Sequence, residues 1–184
     1  LSFHVSVRDP SGAPPAVAYD APPWWVAALA LLAALVLQTV LPPWLALRGA
    51  APGFVLLVVL WYGFRTNFAA GLLLGTIAGA CEDALAGWTG AAWTLSTAAA
   101  GALAGRCAGS PISEAPLRLA AFAGVATLAR YGLFAAILGL EGRALALPEP
   151  HLHAAAWQSA LDAVLAWLAL TVFPRLGVSR VGLR

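Results

Sequence analysis

From residue 23 to residue 178 the chain alternates long apolar stretches with short turns rich in Gly, Pro and Arg. A helix crossing a hydrocarbon core of about 30 Å needs roughly 20 apolar residues, so the pattern predicts about six transmembrane helices. Their expected positions are 23–41, 45–64, 67–86, 90–106, 116–139 and 151–174. In the second, Arg48, Gly49 and Pro52 interrupt the first half, which predicts a short helix preceded by an interfacial segment. The expected fold is an all-α, polytopic membrane helix bundle over 23–178. Residues 1–22 read as a flexible, polar, Pro-rich tail, and 179–184 as a short cytoplasmic tail. The first tail lacks the basic, apolar and small-residue regions of a cleavable signal sequence.

Composition agrees with lipid as the solvent. The chain is 61% hydrophobic and 10% charged, with a mean hydropathy of +0.85, whereas soluble domains carry about 25% charged residues. Its 184 residues leave room for one bundle. A net charge of +2 is too small to point to nucleic acid. All ten basic residues are arginines. With six spans, Arg8, Arg65, Arg106, Arg118, Arg175, Arg180 and Arg184 fall on the side of both termini, against Arg48 and Arg143 opposite. Short cytoplasmic loops collect positive charge, so both termini are expected in the cytoplasm.

Trp24, Trp25, Trp61 and Tyr62 fall at the inner boundary, and Trp44, Trp88, Trp93 and Trp157 at the outer one. Amphipathic rings prefer that headgroup level. Trp167 fits neither belt and is expected to pack inside. Cys81 and Cys107 fall at opposite membrane faces, too far apart for a disulfide.

Polar residues within the spans carry the candidate chemistry. Gly71, Gly75 and Gly79 recur every four residues on the third span, as do Thr97, Gly101 and Gly105 on the fourth. Such strips let backbones approach closely, either inside the bundle or against a partner helix. Arg130 and Asp162 lie about 13 and 16 Å below the outer ends of their spans, at 1.5 Å per residue. Charges at that depth face protein and find partners, so an intramembrane Arg130–Asp162 pair is expected. Helical spacing places Ala123, Ala126 and Thr127 beside Arg130, and Ala155, Gln158, Ser159, Ala166 and Ala169 beside Asp162. Leu161, Val164 and Leu168 then face lipid.

Glu82 and Asp83 close the third span. Adjacent residues point about 100° apart on a helix, so one is expected in the bundle and the other in water or on a partner. Both lie close enough in depth to join Arg130 in one cluster. His151 and His153 are two apart and do not share a helix face, which argues against a metal site. No nucleophile–base grouping or phosphate-binding loop is present, so neither catalysis nor a cofactor is expected.

The run Pro52 … Trp61-Tyr62-Gly63-Phe64-Arg65 … Gly71 … Gly75 … Ala78-Gly79-Ala80-Cys81-Glu82-Asp83-Ala84-Leu85-Ala86-Gly87 resembles the MreD rod-shape-determining family. Phe173-Pro174-Arg175 is similar to its closing segment. The chain departs from the family at Gly53, where an acid or amide is common, and at Trp88-Thr89-Gly90, which replaces a Gly-Pro-x-Gly stretch. The resemblance implies a non-enzymatic scaffold of the bacterial inner membrane, in the cell-elongation complex that builds peptidoglycan. Its main partner would be membrane-anchored MreC, and through it MreB, the elongation polymerase and its transpeptidase. On that reading Gly71, Gly75, Gly79, Glu82, Asp83 and Gly87 form the partner-binding face. The family is also similar in fold to the substrate-binding subunits of energy-coupling-factor vitamin transporters. That likeness implies an alternative function, with a cavity lined by Trp88, Trp93, Trp157, Gln158, Asp162 and Arg130.

Overall fold

The computed structural model describes residues 21–40, 50–87, 89–142 and 150–172. Both expected tails (apart from Ala21 and Pro22), the closing segment at 173–175, Trp44, Trp88 and every arginine except Arg65, Arg106, Arg118 and Arg130 lie outside these residues. The described residues form six α-helices: α1 (Trp24–Val40), α2 (Phe54–Arg65), α3 (Phe68–Ala86), α4 (Ala92–Arg106), α5 (Pro116–Leu140) and α6 (Pro150–Val172). A single 3-10 turn, Pro111–Glu114, precedes α5.

Local chemistry sets several of these boundaries. Asn67 caps α3 by accepting the Ala70 N–H at 2.9 Å. Gly87 ends it in the left-handed conformation (φ 73°), donating its N–H to the Asp83 carbonyl at 2.9 Å. Pro116 opens α5, where its missing N–H costs nothing. Among the described residues, three helices are long and apolar enough to cross a membrane: Phe68–Ala86, Pro116–Leu140 and His153–Val172. At 12 residues α2 is about 18 Å long, well short of a bilayer core. The interruption at Pro52 thus has its expected consequence, a short helix starting at Phe54.

α2, α3 and α4 form the tightest part of the bundle, and glycine is the reason. A Cβ on Gly75 would sit 2.6 Å from the Thr97 carbonyl oxygen, and one on Gly79 would sit 2.5 Å from that of Trp93. Gly71 and Gly101 meet backbone to backbone. Leu56, Leu60 and Phe64 of α2 then pack with Ala100 and Ala104 of α4 and Leu119, Ala123 and Ala126 of α5. Ala27, Leu31 and Ala34 of α1 cover Val55 and Val59 on the other side of α2, and Leu74 and Ala78 of α3 join them. α5 and α6 pair through the Ser159 hydroxyl, which donates to the Gly124 carbonyl at 2.8 Å.

The outer faces are apolar, as contact with lipid requires. Leu73, Ile77 and Leu85 of α3 are exposed, and so are Val164 and Leu168 of α6. Trp167 is 45% exposed, which corrects the expectation that it packs inside. It is exposed beside its neighbour Leu168 and about one turn from Val164. Cys81 and Cys107 are both free thiols.

Candidate functional site: a buried charge network and its cavity

The site lies where the C-terminal halves of α1 and α3 meet the start of α2, the N-terminus of α4 and the middle of α5 and α6. Its centre is Arg130, which is 3% exposed. Its Nη2 donates to Glu82 Oε2 in a buried salt bridge. Its Nε donates to the Thr97 hydroxyl at 2.9 Å, and Thr97 in turn donates to Glu82 Oε2 at 3.2 Å. The guanidinium lies 4.4 Å from the centre of the Trp93 ring. Phe134 stacks on Trp93 at 4.0 Å, and Tyr131 meets it edge-on at 5.6 Å. A cation held over an aromatic ring gains about 0.5–2 kcal/mol, more when water is excluded.

This arrangement corrects two expectations. Arg130 takes Glu82, not Asp162, as its salt-bridge partner. Depth along the helices matched Arg130 best with Asp162, but Glu82, one turn from the end of α3, is the residue turned toward α5. Asp162, fully buried, accepts the Gly53 N–H at 2.7 Å and the Thr127 hydroxyl at 2.8 Å. It therefore closes the start of α2, whose own N-cap, Gly53, has no side chain to do so. Gln38 of α1 assists by accepting the Val55 N–H at 3.3 Å. The face expected around Arg130 is in place, with Ala123, Ala126 and Thr127 buried; around Asp162 only Ala155 and Gln158 are buried, while Ser159, Ala166 and Ala169 are half-buried.

The second correction concerns the partner-binding face. Glu82 and Asp83 are both buried, at 8% and 9% exposure, so neither reaches out to water or to another chain. Asp83 is the remote cap of α4. Its Oδ1 accepts the Thr89 hydroxyl at 2.6 Å and the Trp93 N–H at 3.1 Å. Its Oδ2 accepts the N–H and hydroxyl of Thr94 at 2.8 and 2.6 Å. A carboxylate there satisfies orphan N–H groups and complements the positive end of the helix dipole. Gly71, Gly75 and Gly79 are buried against α4 and give no surface to a partner. Of the expected set, Gly87 alone is exposed, as a helix terminator. Trp93, expected at a headgroup belt, belongs to the network instead.

Beside the salt bridge lies a cavity of about 370 Å³. Glu82, Arg130, Trp93, Tyr131, Gln38 and Gln158 supply its polar and aromatic wall. Gln38 Nε2 donates to Glu82 Oε1 at 3.2 Å, and the Tyr131 hydroxyl donates to Gln158 Oε1 at 2.6 Å. Leu35 and Thr39 of α1 and Leu85 and Ala86 of α3 form its apolar rim. Every buried side-chain N or O among the described residues has a hydrogen-bond partner. Sequence reasoning passed over Gln38, Tyr131 and Gly53. The uncapped start of α2 after Pro52 was the available signal for Gly53.

A second cavity, about 510 Å³ and almost wholly apolar, runs over α2 between α1 and α6. Ala30, Ala33 and Ala34 of α1, Ala123 of α5, and Ala166 and Ala169 of α6 line its walls, together with larger residues, among them Trp61 and Phe64 of α2 and Leu165 and Leu170 of α6. Small side chains there leave a furrow open to the surroundings. Comparison with known protein families, with curated proteins and with solved structures finds no match to this chain.

Proposed function

We propose that the chain is a non-enzymatic scaffold of the MreD type, with six spans and both termini on the cytoplasmic side of a bacterial inner membrane. In this reading it seats the transmembrane helix of MreC, and through it serves MreB, the elongation polymerase and its transpeptidase. The alanine-lined furrow between α1 and α6 is the observation that carries the proposal. Membrane helices associate through close packing on small residues, and this furrow collects them from three helices. It replaces the glycine strip as the partner surface, because α4 already occupies that strip. The test is co-purification of MreC with Ala33→Trp and Ala169→Trp, which fill the furrow from its two walls. Loss of MreC with an unchanged melting temperature supports the scaffold. Full retention by both variants rules out the furrow.

The polar cavity favours a second reading, a substrate-binding subunit of an energy-coupling-factor type vitamin transporter. Of the residues expected to line such a cavity, Arg130, Trp93 and Gln158 do so. Asp162 is committed to α2, and Trp88 lies outside the described residues. A vitamin retained in native mass spectra, together with co-purifying ATPase subunits, would establish this reading over the scaffold.

A further inference from the structure

We infer that the polar cavity is a binding site for a zwitterionic group, one that carries an anion and a cation a few ångströms apart, as a phosphoethanolamine headgroup does. The inference does not rest on the scaffold reading, which concerns the other cavity.

Charge is the first ground. Two of the buried carboxylates near the cavity are already committed. Asp83 holds the start of α4, and Asp162 holds the start of α2 without lining the cavity. Arg130 and Glu82 remain, bonded to each other and both in the cavity wall. Their formal charges cancel. A guest with net charge would leave an uncompensated ion inside the bundle, which is strongly unfavourable. A wholly apolar guest would cover the Gln38, Gln158 and Tyr131 polar atoms without replacing their water. A guest with one charge of each sign meets Arg130 with its anion and Glu82 with its cation, and adds no net charge.

Shape is the second ground. The volume lies in the range of small-ligand sites, roughly 300–1,000 Å³. Glu82, Arg130 and Gln158 of the wall are buried, whereas the lining also carries Thr39 and Leu85, both exposed, the latter at 64%. A polar head inside and a hydrocarbon tail over Leu85 would satisfy both parts. The same chemistry is available from a membrane lipid or from a free soluble zwitterion.

The experiment uses the full chain, extracted from membranes containing equal phosphatidylethanolamine and phosphatidylglycerol, and native mass spectrometry of the bound lipid. Thr39→Trp blocks the rim without touching the network, because the Thr39 hydroxyl bonds only within α1, to the Val36 carbonyl. The expected result is preferential retention of phosphatidylethanolamine, reduced about tenfold or more in Thr39→Trp, with the lipid-free melting temperatures equal. A soluble source is indicated if neither lipid is preferred but phosphoethanolamine raises the melting temperature of the wild type and not of Thr39→Trp. Preference for the anionic lipid overturns the inference. So does the absence of both effects, or retention undiminished by Thr39→Trp.

Discussion

Arg130→Met tests the network at its centre. The substitution leaves the Glu82 carboxylate buried with only Thr97 and Gln38 as donors. Removing one partner of a buried ion pair costs about 3–5 kcal/mol. Loss of the cation over Trp93 adds about 1 kcal/mol, partly offset by the apolar fit of Met. Glu82→Gln keeps the side-chain shape but strands the guanidinium, with a cost of about 3 kcal/mol. In the double variant no charge remains at either position, so its cost should be only about 1–2 kcal/mol. The two residues are then coupled by about 4 kcal/mol or more, above the usual range for contacting groups. A parallel cycle with Asp162→Asn should give a coupling to Arg130 below about 1 kcal/mol, since Asp162 bonds Gly53 and Thr127 instead.

Both cycles are measurable by equilibrium unfolding in mixed micelles, followed by loss of helical circular dichroism. An Asp162 coupling larger than the Glu82 coupling would restore the Arg130–Asp162 pair and refute the network described above. Additive effects in both cycles would mean that Arg130 is not ion-paired at all.

Asp83→Ala frees two backbone N–H groups at the start of α4; at about 1–3 kcal/mol for each unsatisfied buried group, it should destabilise by about 2–6 kcal/mol in the same assay, and Asp83→Asn by less. Asp162→Ala exposes the Gly53 N–H in the same way and should cost about 1–3 kcal/mol, with hydrogen exchange accelerated first at residues 53–56. Gly75→Leu forces α3 away from the Thr97 carbonyl and should cost more than the roughly 1–3 kcal/mol of ordinary overpacking, seen as lost membrane abundance. An abundance equal to wild type would mean that α3 and α4 do not meet at Gly75.

The positions of the helices were legible because apolar runs and Pro/Gly punctuation encode them directly. Expected spans at 67–86 and 116–139 meet observed helices Phe68–Ala86 and Pro116–Leu140. The depth of Arg130 was legible for the same reason. Its partner was not, because depth along the helices favoured Asp162 and says nothing about which side chain rotation around the bundle turns toward Arg130. The glycine strip was legible as a close contact, but spacing alone leaves open whether the neighbour belongs to the same chain. Asp83 held a signal that pattern reading passed over. α4 starts at Ala92 after Ala91, which has no capping side chain, and follows α3 by a short turn. Its orphan N–H groups needed an acceptor, and the nearest carboxylate in sequence was Asp83.

Two of the buried carboxylates, Asp162 and Asp83, and the two short helices have one physical origin. α2 and α4 are about 18 and 22 Å long at 1.5 Å per residue, shorter than the roughly 30 Å hydrocarbon core of a bilayer. Each therefore starts inside the bundle, where unsatisfied N–H groups are costly. Neither has a capping side chain of its own at Gly53 or Ala91. Asp162 and Asp83 supply the missing acceptors from neighbouring helices. Starting α2 only at Phe54 also leaves space above its N-terminus, bounded by Ala51 and Pro52, which is part of the polar cavity. If Asp162 holds that start in place, lengthening α2 should close the cavity. Replacing Pro52 by Ala removes the residue that bars helix at position 51 and restores an N–H donor at 52. The expected outcome is slower hydrogen exchange at 51–53 together with weaker retention of the zwitterionic group, whereas slower exchange with undiminished retention would separate the cavity from the helix start.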